Sequence, residues 1–330
     1  MEAPPRPRFA KPRPVQFEVC VILFVFVDGV GVGSRDEAVN PLARGDYLLS
    51  RFADGGGTAL PSGGVAGQAD ASLGVPGRPQ SATGHTTILT GVNAPAAIGR
   101  HQLGFPGRDL LPLLDRGGVF GDVVRAGRRA VYANAYRCAY LDALGLPHAC
   151  PSAPEPPLPV KASRLRPSAT TYAASRSGLE FRTFDHLRRG EAVYHDIVSE
   201  QPRSVGCDVP RREPEEAAQL LLALARRADL TLYEHFRTDE AGHARDFAMA
   251  AEVLERLDRF LRALVRGLGP ADGLLVSSDH GNLEDLSTRG HTLNPVPVLG
   301  WGTAAAAVPG VRSLLDLHPA LLRLALGDRP

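Results

Sequence analysis

Three observations predict an α/β fold: a doubly wound, mostly parallel sheet with helices on both faces and a small inserted cap. Unbroken apolar runs such as CVILFVFV do not alternate and read as strands buried on both faces, as in parallel sheets flanked by helices. Helical patterns alternate with these runs on both sides of a middle stretch that has no period. Short segments rich in Asp, His and Ser follow the runs, at the edge where open α/β sheets place ligands.

The elements follow in chain order. Residues 1–16 are Pro- and Arg-rich and read as a disordered tail. The first strand covers Val19 to Val27 and ends in Asp28-Gly29. Residues 40–80 are Gly-rich and mostly loop, and a short helix starts at Ser81-Ala82-Thr83-Gly84-His85. A helix over 109–126 and a strand over 130–135 complete the first half of the core, 17–136. Residues 137–200, without clear periodicity, are read as the inserted cap. The second half of the core, 201–330, opens with a helix at 213–227 that has Pro214 in its first turn. A strand at 229–234 follows, then a long helix at 246–268 whose stripe is Ala250, Val253, Leu254, Leu257, Leu261, Leu264 and Leu268. Strands at 273–278 and 296–301 and a last helix at 313–326 close the chain, with Trp301 read as core.

A chain of 330 residues corresponds to about two domains or one large domain with an insertion. Its 44% apolar content suits a chain with a real core. The 37 basic and 36 acidic residues nearly cancel, which argues against a nucleic-acid groove fed by bulk charge and against a polybasic membrane patch. Neither nucleic acid nor membrane is an expected partner. Cys20, Cys138, Cys150 and Cys207 have no CxxC spacing and read as reduced thiols. The Val19–Val27 run is too short for a bilayer, which needs ~20 residues, and no small-residue cleavage site follows it. The expectation is a soluble, cytoplasmic enzyme.

Four segments carry chemistry: Asp28-Gly29, Ser81-x-x-Gly84-His85, Asp239-x-x-x-His243, and Asp279-His280 with His291. Taken singly, each has a plain structural reading, as a turn, a helix cap or a solvated pair. Together they bring carboxylates and imidazoles to one rim of the sheet, where buried charge needs a compensating cation. An oxygen and nitrogen set without sulfur suits zinc or manganese and admits magnesium at the oxygen-richer position. Two such ions ~3.5–4 Å apart can clamp an in-line displacement, and a serine hydroxyl becomes a nucleophile once a metal or base activates it.

These segments resemble the alkaline phosphatase superfamily, most of all its branch of cofactor-independent phosphoglycerate mutase and phosphopentomutase. Asp279-His280-Gly281-Asn282 with His291-Thr292-x-Asn294-Pro295-Val296-Pro297 is similar to the mutase pattern, and Pro79-Gln80-Ser81-Ala82-Thr83-Gly84-His85 to that branch's nucleophile loop. The resemblance implies two divalent ions. One would be held by Asp239, His243 and His291; the other by Asp28, Asp279 and His280, with Ser81 bound there too. Ser81 would attack phosphorus and form a phosphoserine, with Thr83 as the second choice of nucleophile.

The departures are informative. About sixty residues of insert cannot reproduce the larger, arginine-rich insert of the glycolytic mutase. Neither of the two lysines, Lys11 and Lys161, matches that branch's active-site lysine. The sulfatase pattern is absent from Ser81-Ala82-Thr83. Asn93, Arg100 and His101 are candidate substrate contacts, and Arg164 and Arg166 are candidates for closing the cap on phosphate. The reading is therefore a two-metal enzyme for a small phosphorylated substrate, with hydrolysis of a monoester favoured. A phosphosugar or phosphoglycerate-type mutase, a phosphodiesterase and a metal-binding pseudoenzyme with a regulatory role are the alternatives.

Overall fold

The computed structural model describes residues 21–149, 155–158, 160, 161 and 164–327. The expected tail at 1–16 lies outside the described residues, as do Val19 and Cys20 of the first apolar run. Six strands form the central sheet: β1 (Ile22–Val27), β2 (Val65–Ala69), β3 (Ala130–Tyr132), β6 (Leu230–His235), β7 (Gly273–Ser277) and β8 (Val296–Gly302). Their order is β2-β8-β7-β1-β6-β3. β1 lies centrally, parallel to β6 and β7, and β3 runs parallel to β6. Only the β7–β8 and β8–β2 pairings are antiparallel. A second, two-stranded sheet pairs β4 (Ala135–Tyr136) with β5 (Arg182–Thr183).

Pleating explains the unbroken apolar run of β1. Leu23, Val25 and Val27 enter one core, and Ile22, Phe24 and Phe26 enter the other. The first core is covered by α9 (Pro214–Ala225) and α11 (Phe247–Gly267). Its stripe on α11 is Ala250, Val253, Leu254, Leu257, Phe260, Leu261, Leu264 and Val265, spaced to keep one side of the helix on the sheet. The second core is covered by α1 (Ser81–Thr90), α4 (Gly118–Arg125), α6 (Ala169–Arg176) and α12 (Leu317–Leu326). With helices on both faces, the sheet is doubly wound and mostly parallel, as expected.

Some local details differ from the sequence reading. The helix expected over 109–126 is two: α3 (Leu111–Leu114) and α4, separated by Gly117 in the left-handed region at φ 82°. The Gly-rich loop contains β2, an edge strand whose residues alternate between partly buried and exposed up to the buried Ala69. The remaining short helices are α2 (Ala94–Ile98), α5 (Cys138–Leu144), α7 (Phe184–Arg188), α8 (Glu200–Ser204) and α10 (Arg237–Ala244). Trp301 is fully buried, and its indole N–H donates to Pro61 O at 2.9 Å. The reading of four reduced thiols needs correction. Cys138 is disulfide-bonded, whereas Cys207 is a buried free thiol. The absence of CxxC spacing speaks to metal knuckles and not to bridges closing longer loops. Among the described residues, no helix is long and apolar enough to cross a membrane.

Candidate metal centre

The carboxyl ends of β1, β6 and β7 bring two clusters together. β1 ends at Val27, so Asp28 emerges on the rim, and its N–H donates to His235 O at the end of β6. One residue further on, β6 gives way to α10, whose first and last turns carry Asp239 and His243. β7 ends at Ser277, placing Asp279 and His280 beside Asp28. Gly29, at φ 71°, permits this convergence, because a Cβ there would lie 2.6 Å from Asp239 Oδ1. Gly84 does the same for α1: its Cβ would come within 2.9 Å of Asp279 Cβ.

The first cluster is Asp28, Asp279 and His280, all buried, with donor atoms within 4.8 Å of one another. His280 Nε2 lies 3.2 Å from Asp279 Oδ2 and 3.4 Å from Asp28 Oδ1. Asp28 Oδ1, Asp279 Oδ2 and His280 Nδ1 are buried without hydrogen-bond partners. The second cluster is Asp239, His243 and His291, within the same limit. Asp239 lies 3.2 Å from His243 and 3.7 Å from His291. The clusters abut, because the His280 and His291 rings stack with centroids 3.6 Å apart.

Ser81 stands at the first position of α1, where the helix dipole favours negative charge. Its Oγ is 2.9 Å from His280 Nε2. Thr83 is fully buried; its hydroxyl donates to Gln80 O at 3.0 Å and accepts from Gln102 N–H at 3.3 Å, which leaves Ser81 the better-placed hydroxyl. The three candidate substrate contacts are engaged elsewhere. Asn93 caps α2, accepting from Ala96 N–H at 3.1 Å and donating to Leu73 O at 3.0 Å. Arg100 pairs with Asp109 at 3.0 Å, and His101 meets Val75 O at 3.2 Å. Among the described residues, none of the three bonds to either cluster.

Electrostatics suits the first cluster to a cation. Burial, then the charges of Asp279, Asp239 and Glu234, push the Asp28 carboxyl well above its ordinary range. Burial alone would raise Asp279 too, but His280 and His85 outweigh it and hold this carboxyl below its ordinary value. Burial pulls His280 down to about 4, against the attraction of Asp279, and so keeps its ring neutral and able to ligate. No arginine or lysine pairs with Asp28 or Asp279 among the described residues. Orphaned carboxylate oxygens, the neutral His280 imidazole and no sulfur fit zinc- or manganese-type ions.

Glu284 escaped the sequence reading, whereas Asn282 and His85 stood in its motifs without an assigned role. Glu284, 1% exposed, ties the rim loops together. It accepts from Gly31 and Asn282 N–H at 2.8 Å each, from Asn294 Nδ2 at 3.0 Å, and from the Thr292 hydroxyl. Asn282 Nδ2 donates to Asp239 Oδ1 at 2.6 Å and so orients that carboxylate. His85 lies 3.2 Å from Asp279, 3.7 Å from Glu234 and 3.8 Å from Asp28. Burial lowers its affinity for a proton, but the surrounding carboxylates reverse that, and the net shift is upward. The only sequence cue was that polar residues cluster after the strands.

The metalloenzyme superfamily model matches residues 200–323, the segment that carries Asp239, His243, Asp279, His280 and His291. A 2,3-bisphosphoglycerate-independent phosphoglycerate mutase from Halobacterium salinarum is 36% identical over 111 residues, covering 31% of this chain and 22% of the mutase. One from Cereibacter sphaeroides is 36% identical over 119 residues, 34% of this chain and 24% of the mutase. The chain thus spans about a quarter or less of the length of these curated relatives. Among solved structures, a Pyrococcus horikoshii protein aligns over 94% of this chain and 98% of its own, with a TM-score of 0.54 and 14% identity. The alkaline phosphatase of the Antarctic bacterium TAB5 aligns over 94% and 99%, with a TM-score of 0.51 and 10% identity. Residues 200–323 thus resemble the metalloenzyme superfamily, segments of the chain are similar to 2,3-bisphosphoglycerate-independent phosphoglycerate mutases, and the fold is that of an alkaline phosphatase.

Proposed function

We propose that the chain is a two-metal phosphoryl-transfer enzyme that hydrolyses a small phosphate monoester through Ser81. The observation that carries this reading is a helix-terminal hydroxyl 2.9 Å from His280, at the junction of two oxygen and nitrogen clusters. Asp239, His243 and His291 would hold one ion; Asp28, Asp279 and His280 would hold the other, with Ser81 beside it. When bound, the ions would supply Lewis acidity and neutralise negative charge on the phosphoryl group.

The protein's own groups would then act as follows. The α1 N-terminus stabilises the Ser81 alkoxide and the phosphate oxygens. Ser81 Oγ, its proton passed to solvent, attacks phosphorus in line, the P–O bond to the alcohol breaks, and the departing alkoxide takes up a proton from water. Water then cleaves the phosphoserine, returning Ser81 and releasing phosphate. Asn282 and Glu284 fix the loops so that little rearrangement accompanies the chemistry.

Hydrolysis is favoured over mutase chemistry because a short, Pro-rich cap would close only loosely over an intermediate. A mutase must hold its dephosphorylated intermediate, and Lys161 is exposed while Arg100 is paired with Asp109. The mutase reading has its own support in the matched mutase segments. Manganese or zinc suits the donor set best. A cytoplasmic location is not carried forward, because the disulfide at Cys138 removes the thiol argument for it.

The test is turnover of an aryl phosphate monoester by metal-stripped chain reconstituted separately with Mn2+, Zn2+ or Mg2+, beside a diester and 3-phosphoglycerate. Metal-dependent phosphate release that falls at least about a thousandfold in Ser81→Ala, with metal still bound, is the expected result. Isomerised phosphoglycerate without free phosphate would favour the mutase; no metal bound at all would end the reading.

A further inference from the structure

A cavity of 430 Å³ opens beside helix α10, which carries the proposed ligands Asp239 and His243. Its walls are aromatic: Tyr136, Tyr140, Tyr194, His195 and Phe236 all line it. Tyr136 and Tyr140 stack with centroids 5.5 Å apart and planes 11° apart, and His195 bridges Tyr194 at 4.1 Å and Phe236 at 5.4 Å. Leu165 and Val205 add aliphatic surface. The volume lies within the ~300–1,000 Å³ typical of small-ligand sites.

Two observations tie this cavity to the phosphoryl-transfer site. The first is placement. Phe236 caps α10, and Glu240, also in the wall, directly follows Asp239, so their Cα atoms are about 3.8 Å apart. Asn134 and Tyr136 follow β3 at the same sheet edge as the clusters. The second is a chain of polar contacts. Tyr136 Oη lies 2.8 Å from Tyr132 Oη, the Tyr132 hydroxyl donates to Glu234 Oε2, and Glu234 Oε1 is 3.7 Å from His85, which touches both Asp28 and Asp279.

The chemistry of the walls selects the occupant. A three-carbon phosphorylated acid carries a carboxylate and needs a cationic clamp. Arg137, the one arginine or lysine among the described residues of its wall, is turned to Glu155 at 3.8 Å and to Pro156 O. Aromatic faces at these spacings favour a flat ring, by offset or edge-to-face contact. We propose that the cavity binds a flat ring carried by the alcohol portion of the phosphate ester, so that the substrate class is a ring-bearing phosphate monoester. The inference rests on the phosphoryl-transfer reading and adds its leaving-group specificity.

The test compares 2-phenylethyl phosphate with ethyl phosphate on the full, Mn2+-loaded chain, since both have alkyl leaving groups of similar reactivity. Binding of 1-naphthol, which has no phosphate, is measured separately by fluorescence. Val205, 52% exposed at the cavity wall, tolerates Val205→Arg without burying its charge. The ring-bearing ester should lead by at least tenfold in kcat/KM. Val205→Arg should reduce that ratio to about threefold or less and weaken 1-naphthol binding at least fivefold. Equal kcat/KM for the two esters, or 1-naphthol binding that Val205→Arg leaves unchanged, would overturn the cavity assignment. No turnover of either ester, with 1-naphthol still bound and still displaced by Val205→Arg, would instead sink the phosphoryl-transfer reading and the substrate assignment with it, leaving only a ring site.

Discussion

The two clusters are built from similar residues but sit in different surroundings. In the Asp28–Asp279–His280 cluster, side-chain exposure is 10%, 0% and 0%. In the other, His243 is 44% exposed and Asp239 18%, with only His291 buried at 2%. Charge in water costs little, whereas charge in the interior must be neutralised or stored as instability. The buried cluster therefore couples metal binding to the stability of the fold. The open one, on the short helix α10, couples it chiefly to activity.

The sharpest way to break this contrast is one substitution in each cluster. Asp28→Asn and His243→Asn should each cut turnover more than about a hundredfold, since each removes a proposed ligand. Their metal-free forms should diverge. A carboxyl whose pKa is raised on folding is destabilising when ionised, so Asp28→Asn should raise the metal-free Tm by several degrees at pH 7 and abolish most of the metal-induced rise. His243→Asn should leave the metal-free Tm within about 2 °C. Calorimetry with and without Mn2+ decides; equal behaviour of the two variants would show that burial does not distinguish the clusters.

Glu284 extends the contrast beyond the ligands. Its carboxylate satisfies four donors from two loops, and Glu284→Ala would leave buried N–H and O–H groups unpaired. A loss of about 3 kcal/mol or more in urea unfolding is expected. A loss under 1 kcal/mol would mean the loops hold their places without it.

Acid should reveal a third buried region behind α10. Burial, with Arg237 nearby, lowers His195 to about 3, and burial with His195 nearby lowers His235 to about 3, from an ordinary value of 6.5. The unfolded chain then takes protons first. Stability is full above pH 6.5 and falls as pH drops toward 3, by about 2 kcal/mol per histidine between pH 7 and 5. His235→Gln should flatten that slope in the metal-free chain by roughly half.

The sequence carried most of the cluster residues because Asp28, Asp279 and His280 follow a strand and Ser81 and Asp239 open a helix, where chain order becomes spatial proximity. α9 and α11 were legible because one neighbouring layer sets their apolar stripe, and β1 and β7 because layers on both faces make them unbroken apolar runs. What it hid depends on distant segments. β2 is a short strand with Gly67 inside it, held only by β8. Glu234 reads as the polar end of a strand, and Glu284 as a solvated loop charge, until the folded chain buries both. The disulfide at Cys138 gives no local signal, and the aromatic cavity draws its walls from segments between residues 134 and 240. Asn93 was read as a substrate contact, although Asn before Ala-Pro is equally a helix cap, and capping is what it does.

Arg100 gives the smallest expected effect and checks the boundary of the site. Its guanidinium is 57% exposed and paired with an equally exposed Asp109, so water and salt screen the pair. A residue that gripped phosphate would raise KM at least tenfold on truncation, and more at low ionic strength, where long-range attraction is least screened. Arg100→Ala should instead leave kcat and KM within twofold at both 20 mM and 200 mM salt. A KM that rises only at low salt would place Arg100 on the approach path of the anionic substrate. A large rise at both salts would require the 100–109 loop to swing onto the site when substrate binds.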